Sequence, residues 1–169
     1  MLVYPFPNLT TERLLLRELS PDDAEEIFRL RTDDSVNELI DRAKALSVKD
    51  AEEFIRKILT VTANGDGLTW VITLTGETKL AGTVVYWNLE KEKQQAEIGY
   101  ELLTEYRGKG IMAEALKKVI RFGFEELKFK TIMADVKAKN IKSIKLLEKL
   151  GFQLTGEATG EYLIYELKA

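Results

Sequence analysis

A chain of 169 residues with 45% apolar and 31% charged side chains fits one domain, here expected over 1–169, and at this size buries about 70% of its unfolded surface. The net charge of −3 provides no basic field for nucleic acid, and zero cysteine and zero histidine remove disulfides, thiolate nucleophiles, the commonest metal ligand and the usual general base. Chemistry then falls to carboxylates, hydroxyls, lysine, backbone or water without a metal, and a cytoplasmic protein is expected, since no segment reads as a signal peptide or membrane span.

Residues 13–17 suit a first strand, and Ser20-Pro21-Asp22-Asp23 supplies an N-cap, a proline for the first turn and acids against the helix dipole. A helix to about Arg31 follows, with Ala24, Ile27, Phe28 and Leu30 apolar. Residues 32–47 are polar and poorly periodic. Helical spacing returns over 50–61, where Ala51, Phe54, Ile55 and Ile58 share a face, and Asn64-Gly65-Asp66-Gly67 ends it. From 68 to 103 the period shortens to that of strands, with segments 70–74, 80–87 and 97–103 separated by turns at 76–78 and 90–93, an antiparallel meander. The spacing predicts a helix over about 109–127 with Met112, Ala115, Leu116, Val119 and Gly123 on one face, then a strand over 131–136. A second helix over 140–150 has Ile141, Ile144, Leu147 and Leu150 inward and Lys142, Lys145 and Lys149 outward. Segments 152–154 and 162–167 finish as strands around a turn at 156–160. This order argues an α+β class rather than a doubly wound sheet.

One segment carries chemistry. Tyr106-Arg107-Gly108-Lys109-Gly110-Ile111-Met112 stands where the strand ending at Leu103 hands over to a helix. Unpaired N–H groups at a helix start, two glycines that let a ligand approach the main chain and two adjacent cations together suit a phosphate. The spacing matches neither the nucleotide triphosphatase loop nor the dinucleotide fingerprint, and on spacing alone a plain glycine turn accounts for it equally well.

The chain resembles the GNAT superfamily of N-acetyltransferases on these residues. The family's pyrophosphate loop, Arg/Gln-x-x-Gly-x-Gly/Ala, stands here as Arg107, Gly110 and Met112, with Met112 departing at the last position. Ala96-Glu97-Ile98-Gly99-Tyr100, Asn140-x-x-Ser143, Lys149-Leu150-Gly151-Phe152 and the opening Thr11 to Arg17 are similar to the branch that acetylates the N-termini of ribosomal proteins. The resemblance implies the GNAT acyl-CoA N-acyltransferase fold, a mixed, mostly antiparallel sheet flanked by helices. It also implies transfer from acetyl-CoA, the co-substrate, to a primary amine, without a covalent enzyme intermediate.

Arg107, Gly108, Lys109, Gly110, Ile111 and Met112 would then receive the pyrophosphate. The pantetheine arm would add to an edge opened by strand splaying or a bulge near Leu102, and a backbone N–H of Leu102 or Leu103 would meet the oxyanion. Asn140, which also reads as a plain N-cap, corresponds to the family's pantetheine-binding asparagine. Many members carry a tyrosine on this helix to hydrogen-bond the departing sulfur; here that position is Leu147, and Ser143 is the hydroxyl left for the role. With no histidine, Glu97 and Glu101, on one face of a strand, are the bases available to remove the amine proton, although they also read as the strand's wet face. Lys142, Lys145 and Lys149 read as a solvated helix face, with the adenosine 3′-phosphate as an alternative contact.

The acceptor is expected to be a protein or peptide N-terminal α-amine. The alternatives are a small amine, such as an amino acid, polyamine or aminoglycoside, and a non-catalytic acyl-CoA-binding module. No nucleic acid or membrane partner is expected, and a homodimer is left open.

Overall fold

The computed structural model describes residues 4–169. Eight strands form one sheet in the order β1-β2-β3-β4-β5-β6-β8-β7: Leu9–Thr10, Leu14–Glu18, Leu68–Leu74, Gly82–Glu90, Gln95–Leu102, Thr131–Lys137, Gln153–Thr159 and Tyr162–Lys168, numbered in chain order. Neighbours are antiparallel except β5 and β6. The helices are α1 (Ala24–Thr32), α2 (Asp34–Asn37), α3 (Val48–Asn64), α4 (Ile111–Glu125) and α5 (Ile141–Lys149).

Each face of the sheet carries its own core. Trp70 and Ile72 of β3 pack with Ala115, Leu116 and Val119 of α4 and Leu147 of α5, while Val71, between them, turns to Ile27 and Leu30 of α1 and Ile55 of α3. The near-continuous apolar run of β3 follows, because a strand covered on both faces has no wet side. Trp70 is fully buried, its Nε1–H donates to the Pro7 carbonyl at 2.8 Å, and its ring meets Phe6, Tyr86 and Phe122 with centroids 5.8 Å away.

The expected Ser20 cap forms, but on a 3-10 turn, Pro21–Asp23, that leads into α1 rather than on the α-helix itself. The Ser20 hydroxyl accepts from the Asp22 N–H while the Asp23 carboxylate accepts from the Ser20 N–H, and buried Asp23 also holds Arg17 through two bonds of 2.7 and 2.9 Å. That ion pair, six residues apart, ties β2 to the start of α1.

Four local expectations are corrected. The polar stretch 32–47 contains α2, a single turn nucleated by Asp33, whose side chain accepts from the Ser35 N–H. The closing strands do not meet around a turn at 156–160: β7 runs to Thr159 through a register irregularity between Leu154 and Ala158, so the reversal falls at Gly160 and Glu161. Ile141 does not face inward; it is 54% exposed in the first turn of α5, where the helix has not yet reached the core. A two-residue strand, β1, precedes the one expected first, too short for periodicity to register.

The feature that positions the site is a divergence inside the sheet. β5 pairs with β6 only over Gln95–Glu97 against Thr131–Met133. Beyond that, β5 stays on β4 as far as Leu102 while β6 stays on β8 as far as Lys137. The two strands therefore splay, which is the form the expected opening takes.

Candidate active site

The opening between β5 and β6 continues as a cleft of about 920 Å³ through the sheet. Gly108, Gly110, Ile111, Asn140 and Ser143 line the half beside α4 and α5; Arg31, Arg42, Phe54, Glu97 and Asp135 line the half on the α1 and α3 side.

The first half begins at the glycine loop. Gly108 and Gly110 have φ of +73° and +74°, a left-handed conformation that a side chain would strain. Gly110 directly precedes α4, and the Glu114 N–H is the first to bond back into the helix, onto the Gly110 carbonyl at 3.1 Å. No side chain caps this end, so the N–H groups of Ile111, Met112 and Ala113 project beyond the helix into the cleft they line. Met112 is itself buried, so its departure from the family pattern is met by core packing. The cations are arranged differently from the sequence expectation. Lys109 turns back, its Nζ donating to the Glu105 carbonyl at 2.9 Å, so it is not among the cleft residues. Arg107 stays at the cleft, its Nε donating to the Leu102 carbonyl at 3.3 Å and its Nη1 to Ser35 Oγ at 3.2 Å. The loop is fixed from outside by Arg13, which donates to the Lys109 carbonyl at 3.0 Å and to Glu114 at 2.7 Å.

Next comes the open edge of β5. The Leu103 N–H donates to the Ala81 carbonyl at 2.9 Å and the Leu103 carbonyl accepts from the Tyr106 N–H, so Leu103 offers a ligand neither group, and its side chain is buried. The expectation of Leu102 or Leu103 is thereby corrected to Leu102. Because antiparallel partners alternate, a Leu103 N–H directed to the β4 side turns those of Leu102 and Tyr100 toward the splay.

Across the opening, the Asn140 Oδ1 accepts from the Ser143 N–H at 3.2 Å, the N-cap bond, which leaves the Asn140 amide NH₂ as a donor in the cleft. Capping and ligand binding are thus compatible in one residue. The Ser143 hydroxyl lies 2.5 Å from that of Tyr100. Burial pushes the Tyr100 phenol up to about 12, so it keeps its proton at neutral pH and can donate to Ser143, freeing the serine proton for a third group. Sequence reading had no signal for this pair: Tyr100 lies on a strand 43 residues away, and strand aromatics ordinarily read as packing.

In the second half the two candidate bases differ. Burial raises the Glu97 carboxyl above the usual range, opposed by a 2.6 Å bond from Asn88 Nδ2 and assisted by the charges of Asp135 and Glu90. Asp135, missed from sequence, is raised by burial as well. Glu101 is already engaged: Arg42 Nη1 donates to Oε1 at 3.1 Å, and Nη2 sits 2.8 Å from Oε2, off the hydrogen-bonding angle. A carboxylate committed to a guanidinium is badly placed to take a proton, so the geometry favours Glu97. The same half holds Lys137, buried, with Asp41 at 2.7 Å, and Asp41 accepts from the Tyr162 hydroxyl at 2.6 Å, pinning the segment after α2 to β6 and β8. Among the described residues no group of three or more Asp and Glu is placed to hold a metal ion, and no helix is long and apolar enough to cross a membrane.

Residues 13–153 match the acetyltransferase (GNAT) domain family. The uncharacterized N-acetyltransferase YoaA of Bacillus subtilis is 34% identical over 151 residues, 89% of this chain and 85% of that protein. Among solved structures, the ribosomal-protein-S5-alanine acetyltransferase of Vibrio fischeri matches with a TM-score of 0.83 at 24% identity, covering 96% of each chain. The microcin C7 self-immunity acetyltransferase MccE, in complex with acetyl-CoA and AMP, matches with a TM-score of 0.81 at 24% identity, covering 94% of each chain.

Proposed function

Since this chain belongs to the GNAT acetyltransferase family and is an acetyl-CoA-dependent N-acetyltransferase, we propose that its acceptor is the N-terminal α-amine of a protein or peptide. The observation that carries the reading is the through-sheet cleft, which sets phosphate-type donors on one side and a desolvated carboxylate, Glu97, on the other. Kinship in fold with the S5-alanine acetyltransferase of Vibrio fischeri supports a protein acceptor.

In this reading the pyrophosphate sits on the N–H groups of Ile111, Met112 and Ala113, with Arg107 as the nearby cation. The pantetheine amides bond to the open edge at Leu102 and to the Asn140 amide. The incoming ammonium gives its proton to Glu97, directly or through water, and the neutral nitrogen attacks the thioester carbon. With Leu102 taken by the pantetheine, the Tyr100 N–H, the next one directed to the splay on the way to Glu97, meets the oxygen as it gains charge. As the C–S bond breaks, the Ser143 hydroxyl, itself held by Tyr100, hydrogen-bonds the departing thiolate, and the proton the nitrogen still carries passes through water to the sulfur, leaving the amide and the free thiol.

Ser143→Ala is expected to lower kcat by roughly 10- to 1000-fold with little change in KM for acetyl-CoA, water substituting in part. Tyr100→Phe lowers it less, and the two losses are not additive, because the phenol acts through the serine. Steady-state kinetics with the double variant check this; equal turnover in wild type and Ser143→Ala leaves Ser143 as a helix-surface residue.

The acceptor is tested by competition. An α-amine, with pKa about 8, is neutral at physiological pH far more often than Lys at about 10.4. Peptides with a free N-terminus are therefore expected to outcompete the same peptides blocked there but bearing Lys, as read by mass spectrometry. Acetylation confined to Lys side chains, or to a polyamine or sugar amine, overturns the N-terminal acceptor while leaving acetyl transfer intact.

A further inference from the structure

The charges in the acceptor half of the cleft do not cancel. Arg42 has its counter-ion in Glu101 and also donates to the Asn37 side chain at 3.0 Å and to the Leu30 carbonyl at 3.1 Å. Lys137 is matched by Asp41. Glu97 and Asp135 remain for the amine. Arg31 of α1 lines this half and, among the described residues, has no carboxylate within ion-pair distance; Arg107 and Lys142, the other cleft cations without one, belong to the glycine loop and to α5.

Arg31 is partly buried, and its guanidinium carbon lies 4.2 Å from the centre of the Phe54 ring. Among the described residues its guanidinium makes one hydrogen bond, a long one of 3.4 Å from Nη2 to the Ala43 carbonyl. Burial first, and the like charge of Arg42 second, lower its pKa, with Glu101 opposing from beyond contact range. A guanidinium seated on a ring keeps the edge of its donor fork free, and that edge matches a carboxylate or phosphate two bonds at a time. Leaving such a cation without a counter-ion in a half-desolvated site is unfavourable, and an anionic ligand group removes the cost.

We propose that Arg31 anchors an anion subsite, so that the preferred acceptor is a peptide carrying a carboxylate at its third or fourth residue. This rests on the N-terminal reading above. The spacing comes from the sheet: Glu97 and Glu101 are four residues apart on β5, about 13 Å at ~3.3 Å per residue. In that reading the amine enters on the Glu97 side of the opening, while the Arg31 and Arg42 pair sits at the Glu101 end. An extended peptide advances about 3.3–3.6 Å per residue, so two or three residues plus a side chain span the gap. A free α-amino acid, whose amine and carboxylate share one carbon, cannot reach both.

The test uses C-terminally amidated pentapeptides with a free N-terminus and one Asp at position two, three, four or five, each paired with its Asn counterpart. For wild type the ratio of kcat/KM for Asp over Asn is expected to peak at position three or four, at about tenfold or more, and to shrink with added salt. Arg31→Gln brings the ratio near one, and Arg31→Lys, which keeps the charge but not the fork, keeps part of it. A ratio near one at every position in wild type, or one unchanged by Arg31→Gln, overturns the proposal. Should Arg31→Gln fail to fold, Arg31→Lys supplies the same comparison, with an undiminished ratio as the overturning result. If no peptide is acetylated, the N-terminal reading fails by itself, and linear ω-amino acids against their amides carry the charge comparison: an Arg31-dependent preference for the acid upholds the subsite, and its absence overturns it.

Discussion

Acetyl-CoA and CoA at about a hundred times their dissociation constants are expected to raise the Tm of the wild-type protein by roughly 5–10 °C, and Gly110→Glu is expected to abolish the shift. The wild-type gain follows from mass action on a ligand that binds only the folded state. The loss follows from where Gly110 stands, immediately before α4 and beside the N–H groups that have no intrahelical partner. A carboxylate there competes for those donors and repels the pyrophosphate. A β-carbon at Gly110 would lie 3.5 Å from Arg13 Nη2, so the new side chain can also fold onto Arg13. In that pose it would weaken the clamp Arg13 makes on Glu114 and the Lys109 carbonyl. Gly110→Ala separates charge from backbone: it carries the same left-handed strain, of order 1–2 kcal/mol, without the carboxylate. Retained stabilisation by CoA in Gly110→Ala with none in Gly110→Glu identifies the anion site. An unchanged shift in folded Gly110→Glu removes the assignment.

How far the sequence reaches is instructive at these residues. Helix faces and the β3–β4–β5 meander were legible because periodicity is local, and the glycine loop was legible because a strand end, two glycines and an amphipathic helix are contiguous. The Asn140 cap and the position of Ser143 on the same helix followed for the same reason. What was not legible joins distant segments. Arg42 neutralises Glu101 across 59 residues, and Arg13 clamps Glu114 across 101, and neither partner carries a local signature of the other. Glu97 and Glu101 therefore look alike in sequence, two acids alternating on one strand, and only the arrival of Arg42 from the segment after α2 tells them apart. Leu102 and Leu103 were likewise indistinguishable until the register with β4 decided whose N–H is occupied. Asp135 had no reason to stand out before β6 was seen to splay from β5 beside Glu97.

The difference between the two carboxylates is the basis of the second large effect. Glu97→Gln is expected to lower kcat by about 100- to 10,000-fold near neutral pH while leaving the affinity for acetyl-CoA unchanged, as for loss of a general base. The side chain keeps its size and can still accept from Asn88, so the active site is not collapsed. In wild type, rate rises with pH as Glu97 loses its proton, at a pH above the usual carboxylate range because burial and the charge of Asp135 hold the proton on. That limb disappears in the Gln variant, leaving the limb set by the amine itself, near 8 for an α-amine. The accompanying change in stability has the opposite sign and excludes unfolding as the cause. A carboxyl whose folded pKa lies above its unfolded value binds more protons in the native state, so it costs stability as pH climbs through that interval and beyond. Replacing it with a neutral amide lifts this cost, and the Tm of Glu97→Gln at neutral pH should equal or exceed that of wild type. Glu101→Gln acts differently, because it strips Arg42 of its counter-ion: it should lower Tm and leave the pH limb in place. If the limb persists in Glu97→Gln and vanishes in Glu101→Gln, the two roles are exchanged. If it persists in both, the amine proton leaves by another route.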